Sequence, residues 1–125
     1  MTQEEKDLLL RDLSARLPYG VICQVDDGAE GFNDGKLVEI NISEELTRFD
    51  VDYCWKAYID DVKPYLRPMS SMTEEEKSVI LLCNAFIEPH STEYKVNFYN
   101  QYHFDYRDLI EKGLALVAPE GMYNG

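Results

Sequence analysis

The sequence predicts an α+β fold in which a small antiparallel sheet of about three strands is covered by three or four helices. Three patterns carry this prediction: two capping boxes that precede apolar residues at helical spacing, and a stretch of strict period-2 alternation between them. We expect a single domain over residues 1–125, because a chain of this length can bury one core and no linker-like stretch divides it.

The first predicted helix covers Gln3–Arg16. Thr2 and Glu5 form a Thr-x-x-Glu capping box, in which each side chain accepts a hydrogen bond from the other residue's backbone N–H. Pro18 and Gly20 follow, and both residue types disfavour continuation of a helix. Leucines at helical spacing predict the buried face: Leu9, Leu10, Leu13 and Leu17.

Three strands are predicted at residues 20–26, 36–42 and 47–59, and the sheet they form could curl toward a barrel. The third strand has the strongest pattern, because every odd position from Phe49 to Ile59 is apolar. Such alternation predicts one dry face and one acidic, solvated face. The dry face is predicted to enter the core: Phe49, Val51, Tyr53, Trp55, Ala57 and Ile59.

The segment Asp26–Gly35, between the first two predicted strands, is acidic and rich in glycine. Glu30 and Gly31 match positions five and six of an EF-hand calcium loop. Gly28 stands at position three, however, and Leu37 stands at position twelve, where a bidentate glutamate is needed. We therefore interpret the segment as a long hairpin loop and predict no metal site.

The region after the third strand is predicted to be a connector followed by a helix. Residues 63–72 contain two prolines and two serines, which favours a connector. A second capping box, formed by Thr73 and Glu76, then begins a helix that ends before Pro89. Four residues are predicted to form its buried face: Val79, Leu82, Cys83 and Phe86.

Two further helices and a short strand are predicted toward the C-terminus. A third helix begins near Tyr94, because aromatic residues recur four positions apart from there. Asp105 is predicted to cap a last short helix that Gly113 ends. Residues 114–117 are predicted to form a closing strand.

No residue pattern predicts a catalytic or cofactor site. His90 and His103 have no cysteine or carboxylate at zinc-ligand spacing. Cys23, Cys54 and Cys83 are widely spaced and flanked by apolar residues, which predicts reduced core thiols. We therefore expect a non-enzymatic protein without a cofactor, and keep a small enzyme with a site near His103 as an alternative.

The charge of the chain disfavours one large class of partner. The sequence has 24 acidic and 12 basic residues and a net charge of −12 at pH 7. A phosphate backbone would repel it, so we expect no direct nucleic acid binding. The longest apolar run, Val79–Cys83, is far shorter than the roughly 20 residues of a membrane helix. With no signal-peptide pattern at the N-terminus, we expect a cytoplasmic protein that does not bind membranes.

Two features predict a partner surface. The C-terminal third holds six aromatic residues within thirteen positions, more than one helix face can bury. Tyr94 and Tyr102 are therefore predicted to be partly exposed, while Phe98 joins the core. Asp50 and Asp52 lie on the solvated face of the third strand, where they either keep the protein soluble or mimic an acidic ligand. We expect a protein partner or a second copy of the chain at this surface.

Two stretches carry a resemblance to a known family. Residues 63–76 read KPYLRPMSSMTEEE, and residues 103–115 read HFDYRDLIEKGLA. Both resemble a family of uncharacterised small proteins encoded by gut anaerobes and their phages or other mobile elements. The resemblance implies that the chain comes from the same genomic context. It does not indicate any activity. It also implies that Ala118–Tyr123 belongs to the fold.

The leading functional hypothesis is an acidic, non-enzymatic binding or regulatory protein from phage or mobile-element biology. Two alternatives stay open, the small enzyme near His103 and a structural or assembly subunit. Recovery in a particle or filament would distinguish the assembly subunit.

Overall fold

The computed structural model describes residues 1–26, 31–50, 56–86 and 91–123, with the side chains of 83–86 and 91–92 outside this description. These residues form an α+β fold with a six-stranded mixed sheet and three α-helices. In chain order the elements are α1 (Gln3–Arg16), β1 (Ile22–Asp26), β2 (Phe32–Asn41), β3 (Leu46–Asp50), β4 (Lys56–Tyr58), β5 (Val62–Leu66), α2 (Glu74–Phe86), α3 (Ser91–Gln101) and β6 (Leu116–Val117).

The sheet has the strand order β4-β3-β2-β1-β5-β6. Neighbouring strands are antiparallel except for β5 and β6, which are parallel. The predicted sheet of three strands is therefore wrong, and the six strands are not closed into a barrel. The core includes Leu9 and Leu13 from α1 together with Val21, Cys23, Leu37, Phe49, Val62 and Leu66 from the sheet side.

The first helix has the predicted bounds and the predicted cap. Thr2 Oγ1 accepts a hydrogen bond from the Glu5 backbone N–H at 3.1 Å, and Glu5 Oε1 accepts one from the Thr2 N–H at 2.9 Å. Leu9, Leu10 and Leu13 are buried, as their spacing predicts. Burial of these leucines fastens α1 to the sheet, since each buried leucine contributes about 1.5–3 kcal/mol.

The predicted strand 47–59 is two strands joined as a hairpin. Leu46 pairs with Tyr58 and Arg48 pairs with Lys56 in an antiparallel register, so the chain reverses between β3 and β4. In this register an odd-numbered residue of β3 is always opposite an odd-numbered residue of β4. The odd-numbered side chains of the two strands therefore lie on the same face of the sheet. Phe49 and Ala57 are both buried for this reason. Val51, Asp52, Tyr53 and Trp55 lie outside the described residues.

Part of the predicted connector 63–72 is an internal strand. β5 lies between β1 and β6, and Pro64 is opposite Cys23. Val62, Pro64 and Leu66 are buried and alternate with an exposed Lys63. The proline was misleading because proline is usually excluded from internal strands, where its missing N–H removes a ladder hydrogen bond.

The second strand begins earlier than predicted and contains a bulge. β2 starts at Phe32, so residues 32–35 of the loop that was predicted over Asp26–Gly35 belong to a strand, while residues 27–30 lie outside the described residues. The register of β2 against β3 shifts between Leu37 and Glu39. This extra residue moves the apolar pattern by one position, so that Leu37 is buried while Val38 is exposed.

The last predicted helix does not form. Asp105 accepts hydrogen bonds from the backbone N–H groups of Leu109 and Ile110 at 2.8 and 3.0 Å, four and five positions later, whereas a helix N-cap accepts from the second or third residue after it. Asp108 adopts φ 59°, and the described segment is a series of turns. The left-handed residue interrupts the helical path that a cap alone predicts. The closing strand was predicted over residues 114–117, but the observed strand β6 covers only Leu116–Val117.

The buried face predicted for the second helix is wrong for Val79 and Leu82, the two of its residues whose side chains are described. α2 has the predicted capping box, with Thr73 and Glu76 exchanging hydrogen bonds at 2.8 and 3.2 Å. Val79 and Leu82 are nevertheless exposed, because α2 packs mainly against α3 rather than on the sheet. The side chains of Cys83 and Phe86 lie outside the described ones.

A buried ion cluster fastens α1 to the C-terminal segment. Asp12 and Arg16 are fully buried and form a bidentate pair, with Arg16 Nε 2.8 Å from the Asp12 carboxylate. Arg107 reaches the same carboxylate at 2.8 Å. Arg16 also donates to the carbonyl oxygens of Tyr99 and Phe104. These bonds place the end of α3 and the residues after it beside the N-terminal helix.

Candidate functional site

The structure describes three of the four predicted partner residues. Tyr94 and Tyr102 are exposed, on α3 and immediately after it, while Asp50 is exposed at the end of β3. Among the described residues, no hydrogen bond, ion pair or ring contact joins Asp50 to either tyrosine. Asp52 is not among those residues. Phe98 is half-buried and stacks on Phe104 at 6.1 Å, so it lies at the margin of the core.

An exposed apolar surface lies on α2. Val79, Leu81 and Leu82 are 42%, 66% and 55% exposed. We call these three residues, with Glu74 and Glu75, the α2 surface. A helix brings positions i, i+4 and i+7 onto one line, so Glu75 precedes Val79 and Leu82, and Glu74 precedes Leu81. The α2 surface is therefore an apolar strip with carboxylates at its N-terminal end.

A cleft lies on another part of the molecule, where the ends of several elements meet. It has a volume of about 520 Å³ and is lined by Tyr19, Arg67, Glu76, Gln101, Tyr102, His103 and Tyr123. A second cleft of about 420 Å³ shares Arg67 and Tyr123 with the first. The volume of each is within the range of small-molecule sites.

His103 is buried in the wall of the larger cleft, with 3% of its surface exposed. Its backbone adopts φ 62°, a left-handed conformation that is uncommon for a residue other than glycine. The carbonyl of His103 accepts a hydrogen bond from Arg67 N–H at 2.7 Å, and the imidazole lies 4.0 Å from the Tyr123 ring. The left-handed turn thus directs the chain from α3 to a bridge between Arg67 and Phe104.

The hydrogen bonds of His103 determine its tautomer. Nε2 lies 3.1 Å from the carbonyl oxygen of Tyr19, which can only accept, so Nε2 carries the proton. Nδ1 is buried and has no hydrogen-bond partner among the described protein atoms. Burial, with the nearby positive charge of Arg16, lowers the pKa of His103 to about 4. The side chain is therefore a neutral imidazole with one unused acceptor nitrogen.

A partly buried ion pair also lines the cleft. Arg67 binds Glu76 through two hydrogen bonds of 2.8 Å, and its guanidinium lies 4.1 Å from the Phe104 ring centre. The hydrogen bonds from Arg67 lower the pKa of Glu76 to about 2. The pair stays ionised at neutral pH and joins β5 to the first turn of α2.

Tyr123 connects the C-terminal segment to the sheet. Its hydroxyl accepts a hydrogen bond from Ile22 N–H at 2.9 Å and donates one to the carbonyl of Tyr65 at 2.7 Å. Ala118 N–H also donates to the Leu66 carbonyl at 2.8 Å. The expectation that Ala118–Tyr123 belongs to the fold is confirmed by these bonds.

Among the described side chains, neither region has the groups of a nucleophilic or metal site. Cys23 is buried in the core, where desolvation raises the pKa of its thiol. Cys54 and the side chain of Cys83 lie outside the described part of the chain. Within that part, no three His, Cys, Asp or Glu side chains are grouped so that they could hold a metal ion. No helix among the described residues is long and apolar enough to span a bilayer.

Sequence reasoning missed several residues of these two regions. The apolar run Val79–Leu82 is too wide for one buried helix face, and that width was the available signal for Leu81. Arg67 and Tyr123 gave no local signal, because their roles depend on partners far away in the sequence. Comparisons of the chain with protein-family models, curated proteins and solved structures find no match.

Proposed function

We propose that this chain is a non-enzymatic binding protein that docks a protein partner on the α2 surface. The exposure of Val79, Leu81 and Leu82 on one half of one helix carries the proposal. Single apolar residues are common on protein surfaces, but adjacent large ones are characteristic of interaction sites. Tyr94, exposed on the neighbouring helix α3, supplies an aromatic side chain of the kind enriched at interfaces.

The charge of the chain indicates the chemistry of the partner. Glu74 and Glu75 lie at the N-terminal end of the apolar strip, and the whole chain has a net charge of −12. A matching partner presents an apolar strip or helix face with lysine or arginine beside it. A second copy of this chain would instead bring like charges together, so we favour a different protein over a homodimer.

The remaining functional expectations support the same class of protein. The excess of acidic residues favours a protein partner over direct nucleic acid binding. The resemblance of residues 63–76 and 103–115 supports an association with phage or mobile elements and a cytoplasmic location. These expectations belong to the proposal together with the docking role of α2.

Substitution of one exposed leucine tests the proposal. Leu81→Ala removes an apolar anchor that is 66% exposed, so the melting temperature should stay unchanged. Affinity for a partner captured from the native host should fall at least about tenfold, which corresponds to 1.4 kcal/mol, because interface energy is concentrated in few anchors. Isothermal titration calorimetry with the purified partner measures this change.

Ile42→Ala is the matched control, because Ile42 is 63% exposed near the β2–β3 turn. This variant should bind with wild-type affinity. Equal affinities of the wild type and Leu81→Ala would remove the α2 surface from the function. A dimer in sedimentation equilibrium that Leu81→Ala dissociates would assign the surface to a second copy of the chain and overturn the proposed partner.

A further inference from the structure

Two unfavourable features coincide at His103, in the wall of the 520 Å³ cleft. Its backbone is left-handed, at φ 62°, which strains a residue with a β-carbon. Its Nδ1 is buried without a hydrogen-bond partner among the described residues, although a buried polar atom normally has one. Native structures usually keep an unsatisfied group and a strained residue together where function requires them.

The surroundings of the imidazole are suited to a planar molecule. Tyr19, Tyr102 and Tyr123 provide aromatic walls, and Gln101 and the Arg67–Glu76 pair provide polar ones. The Tyr123 ring lies 4.0 Å from the His103 ring, so one stacking partner is already in place. The Tyr123 hydroxyl accepts a hydrogen bond from Ile22 N–H and donates one to the Tyr65 carbonyl, and these two bonds hold that ring in position.

We infer that this cleft binds a small heteroaromatic molecule whose ring N–H donates a hydrogen bond to Nδ1 of His103. The donor must come from the ligand, because Nε2 already carries the imidazole proton and Nδ1 can only accept. Contact with the tyrosine rings that line the cleft adds stacking energy to this bond. Nδ1 is not in contact with solvent, so binding includes a small displacement of a cleft side chain.

The site is independent of the α2 surface. Val79, Leu81 and Leu82 do not line the cleft, and among the α2 side chains that the structure describes Glu76 alone is in its wall. Glu76 faces Arg67 rather than the exposed apolar strip. A ligand could therefore occupy the cleft while a protein partner covers α2.

A matched pair of ligands tests the inference. Indole has a planar ring with an N–H donor, and 1-methylindole has a similar ring without the donor. The readout is the ¹⁵N resonance of His103 Nδ1, recorded in a His90→Gln variant that leaves one histidine in the chain. Indole should move this resonance toward the hydrogen-bonded position, and 1-methylindole should bind about tenfold more weakly without moving it in that direction.

Tyr102→Ala provides the protein-side test. Tyr102 is exposed and lines the cleft, so its removal should leave the melting temperature almost unchanged and weaken indole binding. Tyr58→Ala, an exposed tyrosine on the edge strand β4, should bind indole like the wild type.

Three results would overturn the inference. The first is an Nδ1 resonance that is already hydrogen-bonded in the free protein and insensitive to indole, which would assign the nitrogen to a structural water. The second is equal binding of indole and 1-methylindole, which would leave only apolar adsorption. The third is an absence of binding by both ligands at millimolar concentration.

Discussion

At the scale of single residues, His103 is a position with several destabilising features. It combines a left-handed backbone, an unused buried nitrogen and an imidazole surrounded by Arg16, Arg67 and a partly compensating Asp12. Desolvation is the largest of these effects on its ionisation. The neutral form is therefore the only one that the folded state accommodates near neutral pH.

This restriction predicts acid sensitivity in a defined window. The pKa of His103 is about 4 in the folded chain and near 6.5 when unfolded, so between these values the unfolded chain binds one more proton. Stability should be fully present above pH 6.5 and fall by about 3 kcal/mol as the pH approaches 4. Urea unfolding at intervals of half a pH unit measures this dependence.

His103→Asn removes the titrating group and suits a left-handed backbone, since asparagine tolerates that conformation. The slope between pH 4 and 6.5 should flatten in this variant and persist in His90→Gln. Glu76 acts in a lower window, from pH 4.5 to about 2, because its folded-state pKa is depressed. A wild-type slope in His103→Asn would assign the acid sensitivity to another group.

At the scale of elements, α1 is fastened to the C-terminal segment by charge as well as by apolar packing. Asp12 is fully buried between Arg16 and Arg107, and Arg16 donates to one carbonyl oxygen in the last turn of α3 and to one beyond its end. Removing one member of such a cluster leaves an uncompensated charge in the interior, whereas removing an exposed pair leaves its partner in water.

Asp12→Ala should therefore lower the free energy of unfolding by about 3–5 kcal/mol. Glu39→Ala is the surface control, because the Glu39–Arg48 pair has a similar 2.7 Å distance on the exposed side of the sheet. It should cost less than about 1 kcal/mol. Chemical denaturation at pH 7 compares the two variants. Similar losses in both would show that burial does not determine the strength of these pairs.

Elements also show where sequence reasoning succeeded and where it could not. The Thr2–Glu5 and Thr73–Glu76 boxes are local, and both helices begin where these boxes predict. The sequence did not reveal the hairpin of β3 and β4, because its register keeps the apolar residues at odd positions in both strands. The internal strand β5 could not be predicted, because it contains Pro64 and proline lacks the N–H of a ladder hydrogen bond. Its place between β1 and β6 is visible only in the complete sheet.

In the candidate sites, too, features that depend on local sequence could be predicted, and features that depend on distant residues could not. The exposure of Tyr94 and Tyr102 could be predicted, because one helix face cannot bury so many aromatic residues. The environment of His103 could not, because it depends on Tyr19, Arg67 and Tyr123, which are distant in sequence. Exposure of Leu81 followed from the position of α2 beside α3, which periodicity alone does not reveal.

At the scale of the whole molecule, the C-terminal segment completes the sheet. β6 adds a parallel strand beside β5, and Tyr123 joins the backbone of β1 to that of β5 through one hydroxyl. Tyr123→Phe keeps the ring against His103 and removes only this junction. The loss leaves the Ile22 N–H and the Tyr65 carbonyl with one partner fewer.

Tyr123→Phe should therefore lower the free energy of unfolding by about 1–3 kcal/mol. Tyr58→Phe, on an exposed tyrosine of the edge strand, should change it by less than about 0.5 kcal/mol. Thermal and chemical denaturation of both variants give these values. An unchanged stability in Tyr123→Phe would mean that water replaces the hydroxyl at no cost.

The ion cluster of α1 also sets an order of events during synthesis. The helix is made first, yet its Arg16 finds its partners at Tyr99, Phe104 and, through Asp12, at Arg107, more than eighty residues later. β1 to β5 can pair, and the leucines of α1 can pack on them, before those residues leave the ribosome. The contacts of Arg16 and Asp12 with the C-terminal segment must therefore be among the last to form, and a nascent chain holds α1 by apolar packing until then.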